Sequence, residues 1–338
     1  MVATLLSAAP SGIPEPFLRA ESTLGKFLLM FFAIAFFAAV FGLVLFLASL
    51  FKGRQGEKAQ GAIFAAPAVL LLAVGLMYPA ILTIIQSLRG KSGDGGFSFD
   101  NYSAMFTQPE LLTVLRNTAL WVILVPFLAT AIGLLYAILI DRARGEAFAK
   151  ALIFLPMAIS MVGASIIWKF VYQYKQTERP QIGLLNQIFK LLGLDTRQFL
   201  LDAPVNTLML IIVMVWIQAG FAMTILSAAI KAIPDDIIEA ARLDGVYGLK
   251  MFRHITLPSI RAALVVVLTT IGIGTLKVFD IVRTMTAGQF ETSVVANEFY
   301  NQSFRYDAPG LGAAMAVLLF VLVIPIVTYN IVQMRKEA

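Results

Sequence analysis

The chain has 338 residues, of which 59% are hydrophobic and only 14% charged, and its mean hydropathy is +0.84. Soluble domains contain nearer 45–50% apolar and about 25% charged residues, so this composition indicates an integral membrane protein. The net charge of +6 does not indicate nucleic-acid binding, because no basic stripe with interleaved aromatic residues accompanies it. The absence of Cys and the single His exclude thiolate and histidine-cluster metal sites.

Seven apolar stretches are long enough to cross a bilayer as helices of about 20 residues. They are Phe27–Phe51, Ala62–Gln86, Leu111–Ile140, Ala149–Tyr172, Val205–Ile230, Ile260–Val282 and Gly310–Val332. The sequence therefore predicts an all-α, polytopic membrane protein with about seven transmembrane helices. The first stretch exceeds the apolar core of a cleaved signal peptide, about 7–15 residues, so it is expected to remain as a helix. Internal prolines such as Pro156 are interpreted as ordinary kinks.

The distribution of basic residues favours one orientation in the membrane. By count the two sides tie, with 13 of the 26 Lys and Arg on each, but the outer segments are roughly twice as long, and the two short connections at 52–61 and 141–150 carry three basic residues each. Short connections that are rich in Lys and Arg stay in the cytoplasm. This places the C-terminus in the cytoplasm and the N-terminus outside.

Residues 233–258 interrupt the apolar pattern of the rest of the chain. Pro234, followed by two Asp residues, is typical of a helix start, because acidic side chains in the first turn complement the helix dipole. Gly245 suits the left-handed backbone that closes a short helix. A second short helix is predicted at Tyr247–Ile255, ended by Pro258. The pattern therefore predicts a helix, a glycine turn and a second helix.

This segment carries too many charges to insert into the bilayer, yet it is too apolar to lie free in water. Its large apolar side chains are Ile237, Ile238, Leu243, Met251 and Phe252. Such an amphipathic hairpin requires either a partner surface or the membrane interface, and the residues themselves do not decide between the two.

The motif of this segment resembles a known family. The string Glu239-Ala240-Ala241-x-x-Asp244-Gly245, continuing to Phe252, Ile255, Leu257 and Pro258, resembles the EAA loop of ATP-binding-cassette importer permeases. Shorter strings resemble the carbohydrate branch, the maltose-transporter-type permeases. They are Phe99-Asp100-Asn101-Tyr102 with Phe106, Asn117-Thr118, Leu155-Pro156, Trp168, Gly183-Leu184-Leu185-Asn186 and Phe279-Asp280. One departure is Thr286-Ala287-Gly288-Gln289-Phe290, where the family often has Thr-x-Gly-Gly-Pro.

The resemblance implies a domain organisation. Residues 62–338 would form the six-span core of a type I importer permease, with its cytoplasmic coupling loop at 233–258. Residues 1–61 would form an N-terminal tail and one extra transmembrane helix that the core does not require. The implied location is the bacterial inner membrane.

The resemblance also implies that the 233–258 loop docks on an ATPase subunit. The residues that match the coupling motif are Glu239, Ala240, Ala241, Asp244, Gly245, Phe252 and Pro258. Glu239 is expected to contact the ATPase, and Gly245 is expected to permit the sharp reversal of the chain. Asp244 is expected to cap the helix or to pair locally with Arg242 or Lys231 rather than to contact the ATPase. The implied partners are an ATP-binding-cassette ATPase dimer, a second related permease, an external sugar-binding protein and membrane lipid.

The chain lacks a phosphate loop of its own, so ATP and magnesium are expected in the partner subunit and no cofactor is expected here. A phosphate loop requires G-x-x-x-x-G-K-[ST]. The Gly-Lys-Ser string that begins at Gly90 has Ile85 in place of the first glycine. The chain is accordingly expected to be a transport subunit rather than an enzyme.

A substrate pathway is expected along the fifth and sixth spans, because a neutral, ringed sugar is bound by polar side chains and aromatic or aliphatic faces. The stretches that correspond to the sugar site of maltose-type permeases contain the expected pathway residues. They are Gln218, Phe221 and Thr224 in the fifth span and Ile271, Thr275 and Lys277 in the sixth. Each Thr has an alternative role, because Thr in a membrane helix commonly bonds its own backbone. The branch implies a di- or oligosaccharide cargo, such as an α-glucoside.

A second class of function is an ion-coupled secondary transporter. Lys277 and Asp280 are three residues apart and so share a face of the predicted sixth span. Such a pair would serve as an ion-coupling site. Transport would then survive ATP depletion while an ion gradient persists. The alternative is that both lie near the outer interface and extend their charged ends into water.

Overall fold

The computed structural model describes residues 23–51, 56–141, 143–176 and 180–337, and within these ranges every regular element is a helix. The chain divides into two compact units, Met1–Ile81 and Leu82–Ala338. The resemblance implies a different boundary, after residue 61, which marks where the permease core of the family begins. The two compact units do not test that boundary, so it stays a prediction.

The first unit is a pair of apolar helices. Helix α1 spans Thr23–Ser49 and helix α2 spans Gly56–Leu72, after which a π turn, Ala73–Met77, leads into α3. The amide of Gln60 ties the two helices together by donating to the carbonyl oxygens of Phe51 at 2.6 Å and Ala48 at 3.3 Å. The most apolar window of α1 has 0% of its residues buried. An apolar surface of this kind requires lipid or another subunit as its surroundings.

The second unit contains the remaining helices. They are α3 (Tyr78–Ser87, whose first residues belong to the first unit), α4 (Asp100–Thr107), α5 (Pro109–Ile140), α6 (Glu146–Phe154), α7 (Met161–Val171), α8 (Leu184–Leu191), α9 (Val205–Lys231), α10 (Asp235–Leu243), α11 (Gly248–Met251), α12 (Leu257–Ser259), α13 (Arg261–Leu276), α14 (Asp280–Met285), α15 (Val295–Phe304) and α16 (Pro309–Glu337). A 3-10 turn, Leu155–Ala158, follows α6, and a π turn, Phe252–Thr256, joins α11 to α12.

The core of this unit lies where α5 packs against α9. Its largest fully buried side chains include Trp121, Leu210, Met214, Met223 and Leu226. Gly133 lets the two backbones approach closely, because a Cβ there would lie 2.5 Å from the Cβ of Ala222. Small residues allow the same close approach in membrane helix pairs generally.

Five of the predicted spans are continuous helices in the structure. They are Gly25–Ser49, Gly56–Ser87, Pro109–Ile140, Val205–Lys231 and Pro309–Gln333. These helices confirm the predicted spans to within a few residues. The other two predicted spans are bent pairs, so the described residues contain five to seven candidate spans.

The fourth predicted span, Ala149–Tyr172, is wrong as a single helix. It consists of Glu146–Ala158 and Met161–Val171, which meet at an angle of 101°. Pro156 lies in the 3-10 turn, and the hydroxyl of Ser160 then caps the new helix by accepting from the backbone N–H of Gly163 at 3.1 Å. Proline removes a backbone donor and ends the first helix, and the Ser160 cap supplies a hydrogen bond that starts the next one. The chain therefore breaks here instead of continuing as one kinked helix.

The sixth predicted span, Ile260–Val282, begins where predicted but ends early. The segment Gly248–Ser259 meets α13 at an angle of 70°, and α13 ends at Leu276. Lys277 is the C-cap of α13, whereas Asp280 begins the separate helix α14. The two charged residues therefore do not share a helix.

Candidate coupling segment and substrate pathway

Helix α10 opens the 233–258 segment, which is called the coupling segment below. Pro234 precedes its first turn, which holds Asp235 and Asp236, and Arg242 lies in its last turn. Acids at the start and a base at the end both complement the helix dipole. The helix start predicted from the Pro-Asp-Asp string is confirmed.

Gly245 ends α10 in the left-handed conformation that the sequence predicts. Its φ is +77°. Its N–H bonds the Arg242 carbonyl at 3.0 Å, and the N–H of Val246 reaches back to the Ala241 carbonyl at 2.9 Å. These two bonds form a Schellman motif, which satisfies the last carbonyls of the helix. A Cβ at Gly245 would meet nothing within 4 Å, so only backbone strain disfavours a larger residue here.

The second limb of the coupling segment is longer than predicted. It runs from Gly248 to Ser259 and contains the π turn Phe252–Thr256, in which the N–H of Leu257 bonds the carbonyl of Phe252. Pro258 lies within this limb instead of ending it, and the bend follows at Ile260. Because proline cannot donate to the carbonyl one turn back, the wider turn accommodates it.

The coupling segment has one packed face and one exposed face. Ala241 is buried, and Ile238 packs against the main core. Leu243 is 90% exposed and the side chain of Glu239 is exposed on the same helix, and Leu249 on the second limb is 79% exposed. Of the other matched positions, Ala240, Asp244 and Pro258 are exposed, whereas Phe252 is half-buried. The segment thus holds two bare leucines and a carboxylate outside the folded core.

The side chain of Gln218 on α9 lies against Gly274 on α13. This contact brings the two predicted pathway stretches together. The Gln218 Nε2 lies 4.0 Å from the position that a Cβ of Gly274 would occupy. The Gln218 side chain is half-buried, as is Phe221 one turn further along α9. An amide against a glycine surface leaves its donors and acceptor available to a hydroxylated ligand.

Both pathway threonines bond their own helices. Thr224 Oγ1 donates to the carbonyl of Gly220 at 2.9 Å, and Thr275 Oγ1 donates to the carbonyl of Ile271 at 2.7 Å. Thr275 and Ile271 are also fully buried in this conformation. Of the two pathway threonines, only Thr224 is exposed and therefore accessible to a ligand in this conformation.

Lys277 and Asp280 are both exposed, and no ion pair joins them in the part of the chain that the structure describes. The ion-coupling hypothesis depends on this pair. Groups of three or more His, Cys, Asp or Glu residues arranged to hold a metal are also absent from the described residues.

The loop at 286–295 is a feature that the sequence did not indicate. Ala287, Phe290 and Glu291 all have φ between +56° and +59°, which is strained for residues other than glycine. Asn117 Nδ2 donates to the Glu291 carbonyl at 2.5 Å and to the Ser293 carbonyl at 3.0 Å.

Two further side chains hold the same loop. Asn206 Nδ2 donates to the Phe290 carbonyl at 2.7 Å, and Thr118 Oγ1 accepts from the Val295 N–H at 2.9 Å. The Asn117-Thr118 string is one of those that resemble the carbohydrate branch. The sequence does not single out Asn206, because a polar residue at the start of a span resembles any residue at the membrane interface. The loop lies at the beginning of α9, and the coupling segment follows its end, so the two lie at opposite ends of this helix.

A family model described as "Binding-protein-dependent transport system inner membrane component" matches residues 104–336. An osmoprotective compounds uptake permease protein of Synechocystis sp. is 43% identical over 274 residues, which cover 81% of this chain and 98% of that protein. An alpha-glucoside transport system permease protein of Rhizobium meliloti is 44% identical over 277 residues, which cover 82% of each chain.

Among solved structures, a chain of a bacterial ABC transporter involved in the import of the acidic polysaccharide alginate aligns with a TM-score of 0.70. The alignment is 21% identical in sequence and covers 83% of this chain and 98% of that chain. Similarity at this level of identity establishes a common fold.

Proposed function

This chain belongs to the family of binding-protein-dependent transport system inner membrane components, and from that premise we propose how it works as the permease subunit of a sugar importer. A family match over most of the chain makes it a multi-pass inner-membrane transport subunit. The proposal concerns its cargo, its partners and the residues that link transport to ATP.

The observation that carries the proposal is the exposed face of the coupling segment. Leu243 lies four residues after Glu239, so the two share a side of α10, and both are exposed. Leu249, at the start of the second limb, is also exposed, at 79%. Burying one leucine on a partner contributes about 1.5–3 kcal/mol, so the face is well suited to a protein cleft. The charge of Glu239 would fix the orientation of the segment against a charged partner group, which a lipid surface would not require. We assign this face to the ATPase subunit.

The cargo pathway is placed where α9 meets α13. Gln218 offers hydrogen bonds to sugar hydroxyls, and Phe221 offers an apolar ring to a sugar face. Helix α13 ends at Leu276, so Lys277 lies at the end of α13 away from the coupling segment. The alpha-glucoside transport system permease protein of Rhizobium meliloti supports a sugar cargo, with an α-glucoside as the first to test.

The complete importer would contain an ATPase dimer, a second related permease and an external sugar-binding protein. ATP and magnesium would be bound by the ATPase, and this chain would hold no cofactor. The coupling segment and the C-terminus would face the cytoplasm, with the N-terminus outside. The 286–295 loop would then face the external binding protein.

The test compares two glycines with the same local geometry. Gly193 follows α8 with φ +71°, forms the same pair of backbone bonds as Gly245 and likewise has nothing within 4 Å of its missing Cβ. Valine at either position meets the same backbone strain, about 1–2 kcal/mol. Gly245→Val is expected to abolish uptake of labelled trehalose or sucrose and to release the ATPase during purification. Gly193→Val is expected to retain the ATPase.

A charge reversal provides a second comparison. Glu239→Lys should lose both uptake and ATPase retention, whereas Asp195→Lys, at another exposed acid, should retain the ATPase. If Gly245→Val and Glu239→Lys keep normal ATPase retention and uptake, the assignment of the exposed face is wrong. Transport that persists after ATP depletion would instead support an ion-coupled carrier.

A further inference from the structure

A cluster of four charged side chains lies where the connection after α5 meets the end of α9. Lys231 Nζ lies 2.5 Å from Glu146 Oε1 and 3.3 Å from Asp141 Oδ1. Lys150 Nζ lies 2.6 Å from the same Glu146 oxygen and also donates to the Ser227 hydroxyl. These four residues, Asp141, Glu146, Lys150 and Lys231, form what is called the charge cluster below. Its formal charges balance.

The charge cluster is partly buried rather than spread over the surface. The Asp141 side chain is 10% exposed, and those of Glu146 and Lys150 are 23% and 24% exposed. Lys231 is the most exposed member, at 47%, and it reaches the shielded carboxylates from the outer side of the cluster. Exposed ion pairs contribute little to stability, but removing one partner from a shielded group leaves an uncompensated charge. Glu146 contacts both lysines through one oxygen, so its loss would leave both without this partner. The geometry therefore holds three chain segments together.

Helix α6 is attached to α9 at a second point. A Cβ on Gly220 would lie 2.5 Å from the carbonyl oxygen of Ile153 and 3.0 Å from the Cα of Phe154. Gly220 precedes Lys231 by eleven residues, which is roughly 16 Å along a helix. Close backbone packing at one end and the charge cluster at the other thus hold α6 along the last three turns of α9.

The end of α9 leads directly into the coupling segment. Three residues separate Lys231 from α10, and one of them, Ile233, is buried in the core. Ile238, within α10, packs against the same core. A displacement of α10 would therefore act on the base of α9 without a flexible linker between them.

We propose that the charge cluster transmits movement of the coupling segment to α5 and α6. Lys231 and Glu146 act as positioning residues that keep the end of α5, the start of α6 and the end of α9 together as one body through the transport cycle. The inference rests on the proposed function, because it assumes that the ATPase displaces the coupling segment. It assigns a role in transmission to residues outside the coupling motif.

The test measures coupling in the assembled transporter. In Lys231→Met and in Glu146→Gln, the ATPase is expected to remain bound with its basal hydrolysis. Stimulation of hydrolysis by the sugar-loaded binding protein, and uptake per complex, should fall on the order of 10-fold. The matched control is Lys190→Met, an exposed lysine on α8 that is outside the ion pairs of the described residues, and it should behave as the parent.

The natural chain has no Cys, which permits a rescue that depends on attachment rather than on charge. A Lys231→Cys/Glu146→Cys double variant should be uncoupled when reduced. A bis-thiosulfonate cross-linker that spans two side-chain lengths should restore stimulated hydrolysis and uptake. A role limited to folding stability would lower the amount of complex without changing the ratio of stimulated to basal hydrolysis, and the cross-linker would not restore that ratio.

The outcomes separate this inference from the proposed function. If Gly245→Val abolishes uptake while assembled Lys231→Met and Glu146→Gln couple normally, the inference fails and the function stands. Failure of the cross-linker to restore the Cys pair would also overturn the inference. If Gly245→Val itself transports normally, the proposed function fails first.

Discussion

The turn at Gly245 and the loop at 286–295 lie at opposite ends of α9 and are built in opposite ways. The Gly245 turn uses a glycine for its left-handed residue, is closed by hydrogen bonds between neighbours in sequence and has open space where the Cβ would lie. The 286–295 loop places Ala287, Phe290 and Glu291 in the left-handed region and is held by buried side chains from α5 and α9.

This difference indicates which interactions stabilise the backbone conformation of each region. The Gly245 turn needs no tertiary support, so the surface beside it remains available to a partner. The 286–295 loop is strained, and backbone strain persists only when surrounding contacts over-determine it. Asn117 and Asn206 supply those contacts and are 1% and 0% exposed. The following predictions test this contrast.

The largest effect is expected from removing an anchor of the loop. Asn117→Leu leaves the carbonyls of Glu291 and Ser293 without their side-chain donor. Each unsatisfied buried group costs about 1–3 kcal/mol, so with two carbonyls affected the free energy of unfolding should fall by roughly 2–6 kcal/mol. Thermal unfolding of the detergent-solubilised transporter measures the change. Gln289→Leu, at an exposed position of the same loop, is the control and should unfold like the parent. Equal stability of the two variants would contradict anchoring.

A second effect is expected on assembly rather than stability. Leu243→Ser combined with Leu249→Ser removes two side chains that are exposed in the permease itself. The unfolding temperature should therefore stay within about 1 °C, since surface substitutions change stability by about 0.5 kcal/mol or less. Retention of the ATPase should fall by at least about 10-fold, because burial of both leucines is lost. A titration of ATPase binding to the permease in nanodiscs measures this. Unchanged retention would argue for lipid as the surroundings of this face.

The smallest effect is expected from relieving strain. Glu291→Gly replaces an exposed residue of φ +59° by one that tolerates this conformation. Relief of about 1–2 kcal/mol is offset by the unfolded-chain entropy of glycine, about 0.5–1 kcal/mol, so a net gain of up to about 1.5 kcal/mol is expected. Gly245→Ala should change stability in the opposite direction by a similar amount. Differential scanning calorimetry of both variants checks the two signs, and a loss of stability in Glu291→Gly would contradict the strain assignment.

Much of the fold could be predicted because it depends on local chemistry. Charge-free apolar stretches identified the five continuous spans, since hydropathy alone decides whether a segment can lie in lipid. The left-handed Gly245 could also be predicted, because handedness depends on the missing Cβ. The break at Pro156 was missed, since its outcome depended on whether Ser160 would cap a new helix.

The candidate site was predicted in part, and its roles remain predictions. The resemblance identified Glu239 and Gly245, and the structure shows that both are exposed. The sequence placed Lys277 and Asp280 on one helix, whereas α13 ends between them. It also missed the partners of Lys231, because Glu146 is 85 positions away along the chain.

The sequence by itself determined that this protein lies in a membrane, where most of its spans are, the glycine turn and the family motif. Each of these depends on the composition or backbone preference of neighbouring residues. Only the tertiary structure decided which spans break, which face of α10 packs inward and which distant side chains meet. Those outcomes depend on pairing between segments far apart in the chain, and a hydropathy pattern carries no record of that pairing.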